Sequence, residues 1–210
     1  MTGATAVVEA EDVEVRYHGG PEPAVRGVSL ALGAGEGLLV SGAAGSGKTS
    51  LLRGLLGMVE HRGRAAVLGA PVGAPQTRGR IGYGPQGDGF AAGLRVVEVV
   101  RALAALRRER SAPVARHADD ALERAGLAYV GDWRTSRLDA EGARRLSLAM
   151  AIVGDPPLVV LDDPWVLSET LREIAAARRR GAAVLAAATR PAGLAPALGR
   201  RIVLVDGVAR

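Results

Sequence analysis

The chain has 210 residues, no cysteine and 48% apolar residues, which suits one globular domain with a sizeable core and excludes a disulfide scaffold. No apolar run approaches the ~18 residues of a membrane span, and the amino terminus, with Glu9, Glu11 and Asp12, lacks a basic-then-apolar leader layout, so a cytosolic or cytosol-facing protein is expected. The net charge of +5 suits acidic partners in general, but two Trp, three Tyr and one Phe make no stacking platform for single strands, and no specific nucleic acid is expected.

Residues 6–17 end in the alternation Val13, Val15, Tyr17, which predicts a strand at a sheet edge, and Gly19, Gly20, Pro21 and Pro23 predict a turn. A second alternating strand follows at 28–32, a tight turn at 33–36, a short apolar strand at 37–41, and a helix at 49–57. From 94–110 and 114–125 apolar residues recur at three and four, as in amphipathic helices with arginine outward; Arg107, Arg108, Arg110 and the run 178–180 read as solvated faces. A helix at 140–153, a buried strand at 158–161, a helix at 169–180 and strands at 183–188 and 202–205 complete the order. Strands alternating with helices predict an α/β fold with a mainly parallel sheet covered on both faces. No repeat or linker interrupts 1–210, so one domain is expected: a core of 1–86 and 154–210, and an inserted helical subdomain at about 87–153.

Of the 27 basic side chains, Lys48 is the only lysine, so a strong bias toward arginine is overruled at one place. A compact ammonium suits a tight space that a flat guanidinium does not. The segment from Gly42 through Gly45, Ser46, Gly47 and Lys48 to Thr49 matches G-x-x-x-x-G-K-[ST], between an apolar strand and a helix start, with Ser50 next in the helix. Such a loop turns successive N–H groups inward to cradle phosphates, Lys48 reaches the β and γ phosphates, and the Thr49 hydroxyl coordinates magnesium. The alternative is a Gly-rich turn with an incidental lysine. Asp162, ending the apolar strand Leu158–Leu161, is the candidate magnesium carboxylate, and Asp163 the candidate for orienting or deprotonating an attacking water; a capping turn is the plainer reading of Asp162-Asp163-Pro164.

With these residues placed, the chain from about Glu11 to Gly207 resembles the ATP-binding subunit of ABC transporters, a P-loop NTPase with an antiparallel β edge at its N-terminus. The resemblance implies that Tyr17 stacks on adenine, against the alternative of a half-buried strand tyrosine. It also implies that Ile81-Gly82-Tyr83-Gly84-Pro85-Gln86 is a Q-loop in which Gln86 touches magnesium and the attacking water. Leu94–Val100 resembles a helix opening that lines a groove for a membrane partner, although Val96 and Val100 fit core packing better. The family's Leu-Ser-Gly-Gly-Gln signature falls on Leu138, Asp139, Ala140, Glu141 and Gly142, without its serine and paired glycines. Asp139 and Glu141 would satisfy the helix dipole themselves and repel a phosphate, as in a simply well-capped helix. Asp163 stands where the family usually has Glu, Arg190 where it has its switch histidine, and Ser168-Glu169 where Leu-Asp would complete a dimer contact, in a segment several residues short.

These features imply a subunit at the inner face of a membrane, working with a transmembrane permease and a second ABC ATP-binding subunit, like or unlike. It would bind ATP and Mg²⁺ and hydrolyse ATP slowly or not at all. A nucleotide-gated partner without turnover is the first alternative; a soluble P-loop ATPase or kinase is the second.

Overall fold

The computed structural model describes residues 6–20, 22–87, 90, 93–107 and 114–210. In its first part β1 (Val8–Val15), β2 (Val25–Leu32), β3 (Gly37–Ser41), α1 (Lys48–Leu55), β4 (His61–Val67), β5 (Ala70–Pro71) and β6 (Ile81–Gly84) follow in order. Then come α2 (Val96–Arg107), α3 (Val114–Arg124), α4 (Ala140–Ile152), β7 (Leu158–Asp162), α5 (Ser168–Arg179), β8 (Ala183–Ala188), α6 (Ala195–Leu198), β9 (Gly199–Val205) and β10 (Val208–Ala209).

The strands form two sheets. β2-β1-β4-β5 is antiparallel throughout. β10-β9-β3-β8-β7-β6 is parallel except for β10. The α/β, mainly parallel expectation therefore holds, but the antiparallel part is a four-stranded sheet of its own. Within it β1 is an inner strand, not an edge, and it stops at Val15, leaving Tyr17 beyond it. Its second neighbour, β4, has no apolar alternation to announce it: only Val67 is fully buried, and Gly63 sits against the backbone of Asp12, where β1 changes register.

Alternation across the parallel strands splits the interior in two. Leu38, Val40, Val160 and Leu185 face α1 and the antiparallel sheet. Leu39, Val159, Leu161 and Val184 face the helices. α4, read from sequence as part of the helical segment, packs on α2 and α3 and also lies on β6 and β7. Its approach to β6 is backbone to backbone: a Cβ on Gly82 would sit 1.8 Å from the Ala151 carbonyl oxygen, so this strand position accepts no side chain.

Two of the arginines expected on solvated faces, Arg107 and Arg178, turn inward, whereas Arg179 and Arg180 are exposed as expected. The partly buried Arg107 turns back into the protein and donates to the carbonyls of Val153 and of Met150, at 2.8 Å for the latter, and to Ile81 of β6 at 3.4 Å. It serves the open carbonyls that end α4. Arg178 donates to the carbonyls of Gly35, at 3.1 Å, and Ala197, and Arg180 pairs with Asp155 at 2.7 Å. Arg108 and Arg110 lie outside the described residues. No helix among the described residues is long and apolar enough to cross a membrane.

Candidate functional site

β3, buried along its whole length, delivers the chain to the loop Gly42–Gly47 at the end of the parallel sheet, and α1 starts directly from it. Gly47 is in the left-handed region at φ 98°, and a Cβ there would lie 2.2 Å from the Ala24 carbonyl oxygen, so the loop closes only with glycine at this point. A cleft of about 250 Å³ opens beside it, lined by Gly45, Gly47, Lys48, Thr49, Ser50 and Gln86 together with Asp162, Asp163 and Thr189. Segments far apart in sequence thus converge where β3, β7 and β8 end.

Lys48 is 7% exposed and folds over the loop, donating to the carbonyl oxygens of Gly42 at 2.9 Å and Ala43 at 2.7 Å. Burial pulls its ammonium below the ordinary lysine range, and Asp163 and Asp162 pull the other way. Asp162 is 2% exposed, and burial raises its carboxyl above the ordinary range, opposed first by the Thr49 hydroxyl, which donates to Oδ1 at 3.0 Å. Asp163 holds φ at +49°, a conformation that Asp tolerates better than most side chains. Its Oδ1 accepts from the Thr189 N–H at 3.1 Å and its Oδ2 from the Gln86 amide at 3.2 Å. Lys48, Thr49, Gln86, Asp162 and Asp163 are therefore brought together.

A comparison of the sequence with protein-family models matches the ABC transporter family over residues 25–166. The chain belongs to that family. Among curated ABC relatives, the taurine import ATP-binding protein TauB of Mesorhizobium japonicum is 34% identical over 155 residues, covering 73% of this chain and 60% of that protein. The Nod factor export ATP-binding protein I of Rhizobium meliloti is 34% identical over 167 residues, covering 78% and 50%. The chain thus spans only about half to three fifths of those two proteins. The lipoprotein-releasing system ATP-binding protein LolD of Anaeromyxobacter dehalogenans is 32% identical over 225 residues, covering 97% of this chain and 92% of that one. In fold, the dimeric ATP-binding cassette solved in a post-hydrolysis state with ADP and Pi superposes with a TM-score of 0.87 at 20% identity, covering 97% of this chain and 96% of that one.

The remaining ABC motif positions are not among the residues lining this cleft, although Gly42 belongs to the same loop and accepts from Lys48. Tyr17, 39% exposed, borders a separate hollow of about 290 Å³ with Glu14, Arg16, His18 and His61. Gly42 and Ser46 border a further small hollow with Val203–Asp206. At the signature position, Asp139 caps α4 by accepting from the Gly142 N–H at 2.8 Å, and Glu141 pairs with Arg145 at 2.9 Å. Leu138, Asp139, Ala140, Glu141 and Gly142 do not line the cleft. Arg190, at the switch position, is exposed and has no hydrogen-bond or ion-pair partner among the described residues.

Three side chains and one backbone N–H near the site escape a reading of motifs. Tyr83 donates to Asp162 Oδ2 at 3.4 Å, and Arg53, one turn after Thr49 on α1, acts electrostatically on Tyr83 and Asp162. Arg144 reaches the Asp163 carbonyl at 3.4 Å and lies over the Trp165 ring at 5.9 Å, while Thr189 contributes a backbone N–H that no side-chain motif encodes. The i to i+4 spacing of Thr49 and Arg53 is the one signal available in sequence.

The donor chemistry fits magnesium. A buried carboxylate beside a hydroxyl offers hard oxygen ligands, and among the described residues there is no cluster of three His, Cys, Asp or Glu that would make an all-protein cage. Magnesium is commonly held in this way, by one or two side chains together with substrate phosphates.

Proposed function

We propose that this chain is the ATP-binding subunit of a transporter, binding Mg-ATP with the phosphates in the Gly42–Ser50 cradle and closing against a second ATP-binding subunit to drive or gate a membrane permease. The observation that carries the reading is the meeting of the sole lysine, Lys48, with Thr49, Asp162, Asp163 and Gln86 in one cleft. The import, export and lipoprotein-release names of the relatives, and the dimeric cassette of the same fold, support the partners. The place of action is the inner face of the membrane, with the chain peripheral to it.

Thr49 and Asp162 would hold magnesium, with Gln86 at its edge. Bound magnesium supplies positive charge to the β and γ phosphate oxygens. Lys48 leaves the Gly42 and Ala43 carbonyls for the phosphates. Gln86 and Asp163, already in contact, hold the attacking water; its oxygen bonds to the γ-phosphorus, the bridging P–O bond breaks toward ADP, and Asp163 takes the proton. Asp163 is one methylene shorter than the family's Glu, and an ångström-scale displacement costs about 100-fold in rate, so turnover is slow. The self-capped α4 presents carboxylates where a phosphate of the facing subunit would come, which slows turnover further.

Steady-state ATP turnover of the purified chain, alone and with its membrane partner, tests this against Lys48→Ala. Turnover above that of Lys48→Ala is expected. Equal turnover, with ATP still bound by the parent chain, would instead make the protein a nucleotide-gated partner without hydrolysis.

A further inference from the structure

Both oxygens of Asp162 are engaged, and from different directions. Thr49 donates to Oδ1 at 3.0 Å from the P-loop side, and Tyr83 donates to Oδ2 at 3.4 Å from β6. Beside Tyr83 is Arg53, whose positive charge acts on the Tyr83 phenol and on Asp162 itself. The Tyr83 hydroxyl has one proton to give, and it goes to the carboxylate. Tyr83 is also fixed as a whole. Its backbone pairs with Val160 on β7, two residues before Asp162, and its ring packs against the core beneath α1. Phenol and carboxylate therefore come from adjacent, rigid strands.

Resting on the reading that Thr49 and Asp162 hold magnesium, we infer that Tyr83 is a positioning residue for the metal site: its hydroxyl, backed by Arg53, secures Oδ2 so that Oδ1, beside Thr49, is the oxygen turned to the cation. A carboxylate pinned at one oxygen gives up little rotational freedom when the other meets a metal, and partners of this kind typically contribute 10- to 100-fold in metal affinity.

The test is Tyr83→Phe, which removes the hydroxyl and keeps the ring. Mn²⁺ serves as the probe, its affinity read by electron paramagnetic resonance in the presence of a non-hydrolysable ATP analogue, with affinity for the analogue in EDTA measured alongside. Mn²⁺ affinity is expected to fall about 10-fold while metal-free affinity for the analogue stays at the parent value. Arg53→Gln is expected to shift Mn²⁺ affinity the same way by a smaller factor, and serves as the second variant should Tyr83→Phe fold poorly. Parent-like Mn²⁺ affinity in Tyr83→Phe, with Asp162→Asn having lost it, would overturn the inference and leave the nucleotide reading standing. Equal loss with and without metal in Tyr83→Phe would overturn it as well, marking a general structural role. A parent chain that binds no analogue, or an Asp162→Asn variant that keeps Mn²⁺, would overturn the underlying reading instead.

Discussion

At the scale of single residues, charge placement distinguishes groups that serve the cleft from groups that serve the frame. Arg145 belongs to the frame: it pairs with Glu141 at 2.9 Å and Glu169 at 2.8 Å and donates to the Ala125 carbonyl at 3.1 Å. Its hydrogen bond to Glu169 holds that carboxyl at about 2, well below the ordinary range. A carboxyl lowered in the folded state contributes its full stabilisation above the ordinary carboxylate range, and the contribution is lost as pH falls from there toward about 2. Arg145→Ala should therefore move the midpoint of acid unfolding to higher pH, measured by circular dichroism across a pH series; an unmoved midpoint would remove the pair from the stability account. Lys48, Thr49 and Asp162 were legible in sequence because a P-loop is a local pattern and a buried strand ending in aspartate is another. Tyr83 as a partner of Asp162 was not, since 79 residues separate them and only the pairing of β6 with β7 brings them together.

At the scale of elements, α4 and β6 meet directly beside the segment that carries Gln86. Ser147 on α4 donates to the Pro85 carbonyl at 2.8 Å, one residue before Gln86, and Gly82 lets the two backbones meet. Gly82→Ala forces α4 away from the strand and should destabilise the protein by about 3 kcal/mol, the upper range for overpacking, in urea unfolding. Arg107→Ala leaves the carbonyls of Val153, Met150 and Ile81 without their charged donor and should cost about 2 kcal/mol in the same experiment. Burial pulls the Arg107 guanidinium down to about 10, as befits a cation served only by carbonyls. Helix and strand order was readable because apolar residues recur at helical spacing in α2 and α4 and run without a break in β7 and β8. The inward turn of Arg107 was not readable, because periodicity reports the direction of Cβ and a long arginine can reverse beyond it. β4 escaped for a related reason: its glycine and arginines serve pairing with β1 and leave no alternating pattern.

At the scale of the whole molecule, the N-terminus of α4, with its own carboxylate cap, stands outside the lining of the P-loop cleft. If closure against a second subunit brings a phosphate to α4, Asp139 and Glu141 oppose it. Replacing them together, Asp139→Ser with Glu141→Gly, keeps a hydroxyl cap while removing both charges, and turnover with the membrane partner should rise about 10-fold. Unchanged turnover would mean that α4 never meets the phosphate. The central claim, that the cleft around Lys48 binds Mg-ATP, is tested most directly by calorimetric titration of Mg-ATP into the purified parent chain and into Lys48→Ala. Saturable one-site binding by the parent, weakened about 10-fold or more in Lys48→Ala, is the predicted result; equal affinity in the two chains would contradict it.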